Sequence, residues 1–253
     1  LAIPACCGIV TAGPYPYSAY GVPVVATTFA CAPAVATGLA RVAAMNGEPT
    51  RAVCWAGDGG TFDIGMATLS AAAERNEDIL YICYDNEIYG NTGGQRSSAT
   101  PAGATTTTTP AGKQEWKKDI LAILAAHGIP YCASVSLAHP EDAHRKFSFA
   151  LEAHGFRFLH ILSPCPTGWK SEPSEGIELV RLAVRSGLFP VCEIFDGEVY
   201  RVNVEPEMSR EALAAYFAGQ GRFRKSEVPL DRIAARIEKN WELLRRRVRE
   251  SET

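Results

Sequence analysis

No stretch of the sequence runs apolar for the roughly 18 residues needed to cross a bilayer, so no membrane-spanning helix is expected. No charge sign dominates. The net charge is −3, which argues against a nucleic-acid surface as the main business. The one basic run, Arg245-Arg246-Arg247, reads as a solvated helix face. None of the five histidines, His127, His139, His144, His154 and His160, stands at metal-ligand spacing, and each reads as a capping or surface group. There is no internal repeat. The start, Leu-Ala-Ile-Pro-Ala-Cys-Cys, lacks the basic region of a signal peptide. It also lacks an initiator Met and a polar lead-in, which gives the expectation of a further segment upstream.

What is present is a core. Apolar residues make up 47% of the 253, enough for one large α/β domain or two small ones. Eight cysteines are many for a protein without disulfides. Yet Cys31, Cys54, Cys83, Cys132 and Cys192 lie inside apolar runs, where buried reduced thiols are ordinary. The expected setting is a reducing cytoplasm.

Apolar runs alternate with helical patterns. Strands are expected at 24–29, 51–56, 78–84, 131–135, 156–162 and 191–195. Helices are expected at 33–46, 61–75, 115–127, 141–154, 175–185, 210–217 and 230–249. The 61–75 helix would bury Ile64, Ala67, Leu69 and Ala71. The last would bury Ile233, Ile237, Trp241, Leu244 and Val248. Near-continuous apolar strands separated by helices imply an α/β fold, a mostly parallel sheet covered on both faces. The character changes near residue 204, so the division expected is an α/β domain over 1–204 and a C-terminal helical extension or arm over 205–253. Residues 87–114 form a long polar loop rich in Gly, Thr, Ser and Pro, and loops of that length inside a compact chain are usually functional.

Gly57-Asp58-Gly59-Gly60 directly follows a strand and precedes a helix. Glycines there let the backbone approach an anion, and the helix N-terminus offers free N–H donors. Asp58 adds a hard oxygen suited to Mg²⁺. One βαβ crossover later the chain reaches Asp85-Asn86, so Asp58 and the Asn86 region meet at the carboxyl edge of the sheet. Gly-Asp-Gly, 26 residues, then Asn resembles the signature of thiamine diphosphate-binding proteins. Each piece alone is more often a plain turn or strand-end cap; the combination carries the reading.

The segments GDGGTFDI (57–64), YDNEIYGNTGGQRSSATP (84–101), AHGIPY (126–131), PCPTGW (164–169) and QGRFR (220–224) resemble the β subunit of the pyruvate:ferredoxin and other 2-oxoacid:ferredoxin oxidoreductases, over nearly the whole chain. The resemblance implies the thiamine-diphosphate-binding fold, with Asp58, Asn86 and the Ile88 carbonyl as Mg²⁺ ligands. It implies Gly57, Gly59, Gly60, Tyr89, Gly90, Asn91 and Thr92 along the cofactor, and Asn91 beside the reacting carbon as the catalytic candidate. It implies oxidative decarboxylation of a 2-oxoacid, pyruvate first, with electrons passing through [4Fe–4S] clusters to ferredoxin and the acyl group usually to coenzyme A. Such subunits carry a [4Fe–4S] cluster on four cysteines. Cys7 matches the third of these and Cys165 the fourth, with Cys6 as the rival of Cys7. No Cys-x-x-Cys occurs in the sequence, so two further ligands are expected upstream.

No Glu falls where the family's cofactor-activating carboxylate would, which implies an α-type partner subunit supplying that Glu and the substrate grip, with γ/δ-type subunits besides. Other readings stay open: an oxalate, phenylglyoxylate or branched-chain 2-oxoacid oxidoreductase, a non-redox thiamine diphosphate decarboxylase, or a non-enzymatic Mg²⁺–nucleotide module. Tyr15-Pro16-Tyr17 is a candidate substrate or partner surface, with core packing the equal alternative.

Overall fold

The computed structural model describes residues 1–13 and 17–252. Tyr15 and Pro16 lie outside the described residues, and Tyr17 is exposed. Eight strands form one sheet in the order β2-β1-β3-β4-β6-β5-β7-β8. They are β1 (Ala2–Pro4), β2 (Val25–Thr27), β3 (Ala52–Gly57), β4 (Ile79–Asp85), β5 (Tyr131–Ser136), β6 (Arg157–Leu162), β7 (Val191–Phe195) and β8 (Val199–Val204). β1 to β6 pair in parallel; β7 and β8 close one edge antiparallel.

Every residue of β4 is buried, as a strand covered on both faces requires. Its side chains alternate between two cores. Ile79, Tyr81 and Cys83 face α2 (Ala32–Met45), α3 (Met66–Glu74) and α4 (Ile120–Ala125). Leu80 and Ile82 face α5 (Pro140–Glu152). A third cluster joins α7 (Gly176–Arg185), α8 (Arg210–Ala218) and α9 (Leu230–Ser251) to Leu162, Trp169 and Val191. In α9, Ile233, Ile237 and Trp241 are buried, and the Trp241 indole donates to the Gly187 carbonyl at 2.8 Å.

The structure departs from the sequence reading in three ways. The helix expected over 61–75 opens instead as a π turn, Gly59–Asp63, before α3 begins. The Ile64 N–H reaches back five residues to the Gly59 carbonyl at 3.2 Å. That wider turn rotates the following face. Phe62, Leu69, Ala72 and Ala73 are buried, while Ile64 and Ala67 face outward. The helix expected over 115–127 is only α4, capped by the Asp119 carboxylate accepting from the Ala122 N–H at 3.0 Å. Upstream of the cap the chain runs irregularly while Lys117 and Lys118 reach inward, to Asp85 and to the Phe62 carbonyl. Lastly, β1, β8, α1 (Cys7–Thr11) and α6 (Pro166–Trp169) were not anticipated. Asp196-Gly197, both at positive φ, form the turn between β7 and β8, and an Asp-Gly pair between alternating residues was the available signal.

Candidate active site

β3, β4 and β6 end in register, Gly57 opposite Tyr84 and Asp85 opposite Leu162, so their carboxyl ends form one rim. Asp58 sits on that rim, 1% exposed. A Cβ on Gly59 would stand 2.4 Å from the Tyr89 ring, so a side chain there would have to push that ring aside. The Asn86 side-chain amide lies 3.0 Å from Asp58 Oδ1 and 3.0 Å from the Ile88 carbonyl oxygen. Turned one way, its NH₂ donates to both. Turned the other way, its oxygen joins theirs, and its nitrogen faces the Cys7 sulfur at 3.7 Å. Three convergent oxygens of this kind fit a small hard cation. The charge fits too: burial, and next the nearby Asp85, push the Asp58 carboxyl well above its ordinary range, so an anionic Asp58 needs a cation beside it.

Sequence reading had brought Asp58, Asn86 and Ile88 together, and the fold does so. It had missed what holds them. Ser97 Oγ donates to Asp58 Oδ2, and the neighbouring Ser98 donates to Asp63 from both its N–H and its hydroxyl, pinning the long loop to the π turn. Lys113, 1% exposed, anchors the same loop by donating to the Ser98 and Thr100 carbonyls at 3.1 and 2.7 Å. Burial lowers its pKa to about 8.

Beneath the rim lies a buried ionic network. Lys117 pairs with Asp85 and with Glu87 Oε1, the latter at 3.0 Å. His160 Nε2 contacts Asp85 Oδ2 at 2.7 Å. His160 is therefore neither a cap nor a surface group; it lies on β6, where the strand pattern places it inside. Burial would raise the Asp85 carboxyl, but Lys117 and His160 outweigh it and hold the pKa at about 2. Burial would likewise lower Lys117, and Asp85 with Glu87 pushes it above its ordinary range. These contacts join residues 30 to 75 apart in sequence, which no local pattern reports.

The Tyr89–Gln95 segment closes on itself through Tyr89 N–H to Gln95 O at 3.0 Å and Gly94 N–H to Tyr89 O at 2.9 Å. Asn91 and Thr92 are exposed at its tip, and Asn91 Oδ1 accepts from Cys7 Sγ at 3.6 Å. A hollow of ≈ 530 Å³ lies alongside, lined by Asp63, Tyr89, Thr92, Gln95, Arg96 and Thr108. Cys7 and Cys165 are both partly exposed. Burial raises the Cys7 thiol, and Cys165 is near enough to raise it further by charge repulsion. Cys6 turns away: it is buried and accepts from the Tyr84 hydroxyl at 2.7 Å. Among the described residues no three of His, Cys, Asp or Glu converge as a ready metal set. The rim corner thus depends on one carboxylate with amide and main-chain oxygens, and Cys7 and Cys165 offer two thiols.

Residues 7–161 match the thiamine pyrophosphate enzyme C-terminal TPP binding domain. The chain is 40% identical over 259 residues to ketoisovalerate oxidoreductase subunit VorB of Pyrococcus furiosus, covering 97% of this chain and 83% of that protein. It is 44% identical over 225 residues to pyruvate synthase subunit PorB of Methanothermobacter thermautotrophicus, covering 87% and 77%. Its fold is similar to that of 2-oxoglutarate:ferredoxin oxidoreductase from Magnetococcus marinus, with a TM-score of 0.60 at 23% identity over 88% of this chain and 79% of that one.

Proposed function

The chain belongs to the thiamine pyrophosphate-binding β subunits of the 2-oxoacid:ferredoxin oxidoreductases, and from that premise we propose that its Asp58–Asn86–Ile88 corner holds the Mg²⁺ and diphosphate for oxidative decarboxylation of pyruvate. The observation that carries this is the approach of the Asn86 amide to Asp58 Oδ1 and the Ile88 carbonyl, each at 3.0 Å. Thiamine diphosphate, when bound, supplies the nucleophile and the electron sink. The chain's own residues bind and orient. Asp58 would offer the cation a charged oxygen, and the Asn86 amide and Ile88 carbonyl would offer neutral ones. Gly59 and Gly60 keep side chains clear of the diphosphate, with Tyr89, Gly90 and Thr92 along the loop that follows. Asn91 is the residue assigned to touch substrate, and its exposure beside Cys7 supports that role. Cys7 and Cys165 would be two of the ligands of a [4Fe–4S] cluster, a group that would supply one-electron transfer toward ferredoxin, with coenzyme A as the acyl acceptor. An α-type subunit contributes the activating carboxylate.

A branched-chain 2-oxoacid is the second reading. The ketoisovalerate subunit aligns over more of this chain than the pyruvate subunit does, at somewhat lower identity. Anaerobic purification of the native complex, analysis of its bound cofactor and metals, and 2-oxoacid-dependent viologen reduction test the proposal. Pyruvate should give the highest kcat/KM. A preference for 2-oxoisovalerate would move the assignment to the second reading, and absence of thiamine diphosphate from the active complex would end both.

A further inference from the structure

The turn that carries Asn86 and Ile88 is held in an uncommon shape. Glu87 has φ +63°, a left-handed conformation that costs a non-glycine residue energy, and it is buried. Four consecutive carbonyls run through this turn. Asp85 O accepts from the Ser163 N–H at 2.9 Å, Asn86 O from the Trp169 indole at 2.9 Å, and Glu87 O from the Thr100 hydroxyl at 2.7 Å. The fourth, Ile88 O, is the one turned to the Asp58–Asn86 corner. The Glu87 N–H donates to Asp85 Oδ1 at 3.0 Å, closing the turn from the other side.

What resists relaxation of Glu87 is its carboxylate. Oε1 receives Lys117 at 3.0 Å; Oε2 receives Arg222 Nη2 at 2.5 Å and the Tyr216 hydroxyl at 3.4 Å. Arg222, from the QGRFR segment, is 1% exposed. It is fixed in turn by Gln220 Oε1 at 2.9 Å and by the Trp169 ring, whose centroid lies 4.7 Å from the guanidinium. The same Trp169 holds the Asn86 carbonyl, so Arg222 braces the turn at two places.

We propose that Glu87, clamped by Arg222 of the C-terminal extension and by Lys117, is the positioning residue that aims the Ile88 carbonyl at the cation. This rests on the cation assignment above. Glu87 touches neither the corner nor the substrate; it acts through the backbone. The C-terminal extension thereby becomes part of the cofactor half of the site, 135 residues away from Glu87 in sequence.

The test is Mn²⁺ binding to the purified complex, followed by electron paramagnetic resonance, for the wild type, Glu87→Gln, Arg222→Gln, the double variant and Asp58→Asn. Removing an outer-shell partner of a metal ligand typically weakens binding about 10–100-fold. Glu87→Gln and Arg222→Gln should each weaken Mn²⁺ by that order, the double variant little more than either. KM for thiamine diphosphate should rise in parallel while KM for the 2-oxoacid stays within about twofold. Circular dichroism and the assembly state decide whether a variant is folded; if Glu87→Gln does not assemble, Arg222→Lys, which keeps the charge, should bind Mn²⁺ between wild type and Arg222→Gln. Wild-type Mn²⁺ affinity in folded Glu87→Gln, with Asp58→Asn abolishing binding, would overturn the positioning role alone. Undiminished binding in Asp58→Asn would overturn the cation assignment beneath it.

Discussion

Asp58 is the carboxylate of the proposed cation corner, and its burial makes it intolerant of change. Asp58→Asn keeps the shape and the Ser97 contact but removes the charge. Its expected effect exceeds the roughly 10–100-fold that an outer-shell loss costs, and isothermal titration of the complex with Mg²⁺ and thiamine diphosphate checks it. The two adjacent cysteines should behave oppositely. Cys7 faces Asn86 and Asn91, whereas Cys6 is tied to Tyr84. Cys7→Ser should therefore lower the iron content and the low-temperature cluster signal of the anaerobic complex, and Cys6→Ser should leave both near wild type. The reverse pattern would exchange their roles. Asp58 and Asn86 were legible in the sequence because glycines and a fixed crossover frame them. Ser97, Lys117 and His160 were not, because each acts across the fold on a residue chosen by the rim and not by its neighbours in sequence.

At the scale of elements, the central strands were the most legible part, since near-continuous apolar runs of five to seven residues admit few other readings. What failed was the join between motif and helix. The π turn depends on main-chain geometry at Gly59, Gly60 and Gly65, and a Cβ on Gly65 would stand 1.8 Å from the Gly60 carbonyl oxygen. Gly65→Ala therefore cannot keep this turn. It should cost about 1–3 kcal/mol or more and weaken cofactor binding at the same time, which thermal denaturation with and without Mg²⁺–thiamine diphosphate would separate. The antiparallel edge has its own pin. Glu193 on β7, 1% exposed, accepts from Tyr131 at 2.7 Å, from Arg145 at 2.9 and 2.8 Å, and from Asn203 at 2.6 Å. Burial would raise its carboxyl, but those donors outweigh it and hold the pKa below the ordinary value. A depressed folded pKa contributes stability that is complete above the unfolded value of about 4.3 and is lost as pH falls through the folded one. Glu193→Gln should lower stability at neutral pH, on the order of 2 kcal/mol, and flatten the decline below about pH 4.3 in urea melts. An unchanged acid limb would remove Glu193 as its cause.

On the scale of the whole molecule, the site is finished on one side and open on the other. Behind Asp58 and Asn86, Lys117, Asp85 and His160 form a buried, mutually paired cluster. In front, Asn91, Thr92 and Gly93 are exposed, and the elements around them show large apolar groups to solvent: Val10 on α1 at 67%, and Ile64 after the π turn at 54%. Single exposed apolar residues are ordinary. Their position on the elements that carry Cys7 and Asp58 is what points to a covering partner. The proposed assignment gives the corner's one carboxylate to the cation, which leaves no base among the corner's described residues for the far end of the cofactor. The isolated chain should therefore bind Mg²⁺–thiamine diphosphate weakly and show no 2-oxoacid-dependent viologen reduction, while the same chain reassembled with the proposed α-type partner should turn over. Tightening should accompany assembly: ligand at about 100 times its Kd stabilises by roughly 2.7 kcal/mol, so the cofactor-dependent rise in Tm should be larger for the complex than for the chain alone. Full turnover by the isolated chain would place the activating carboxylate within these 253 residues and contradict the division of the site between two subunits.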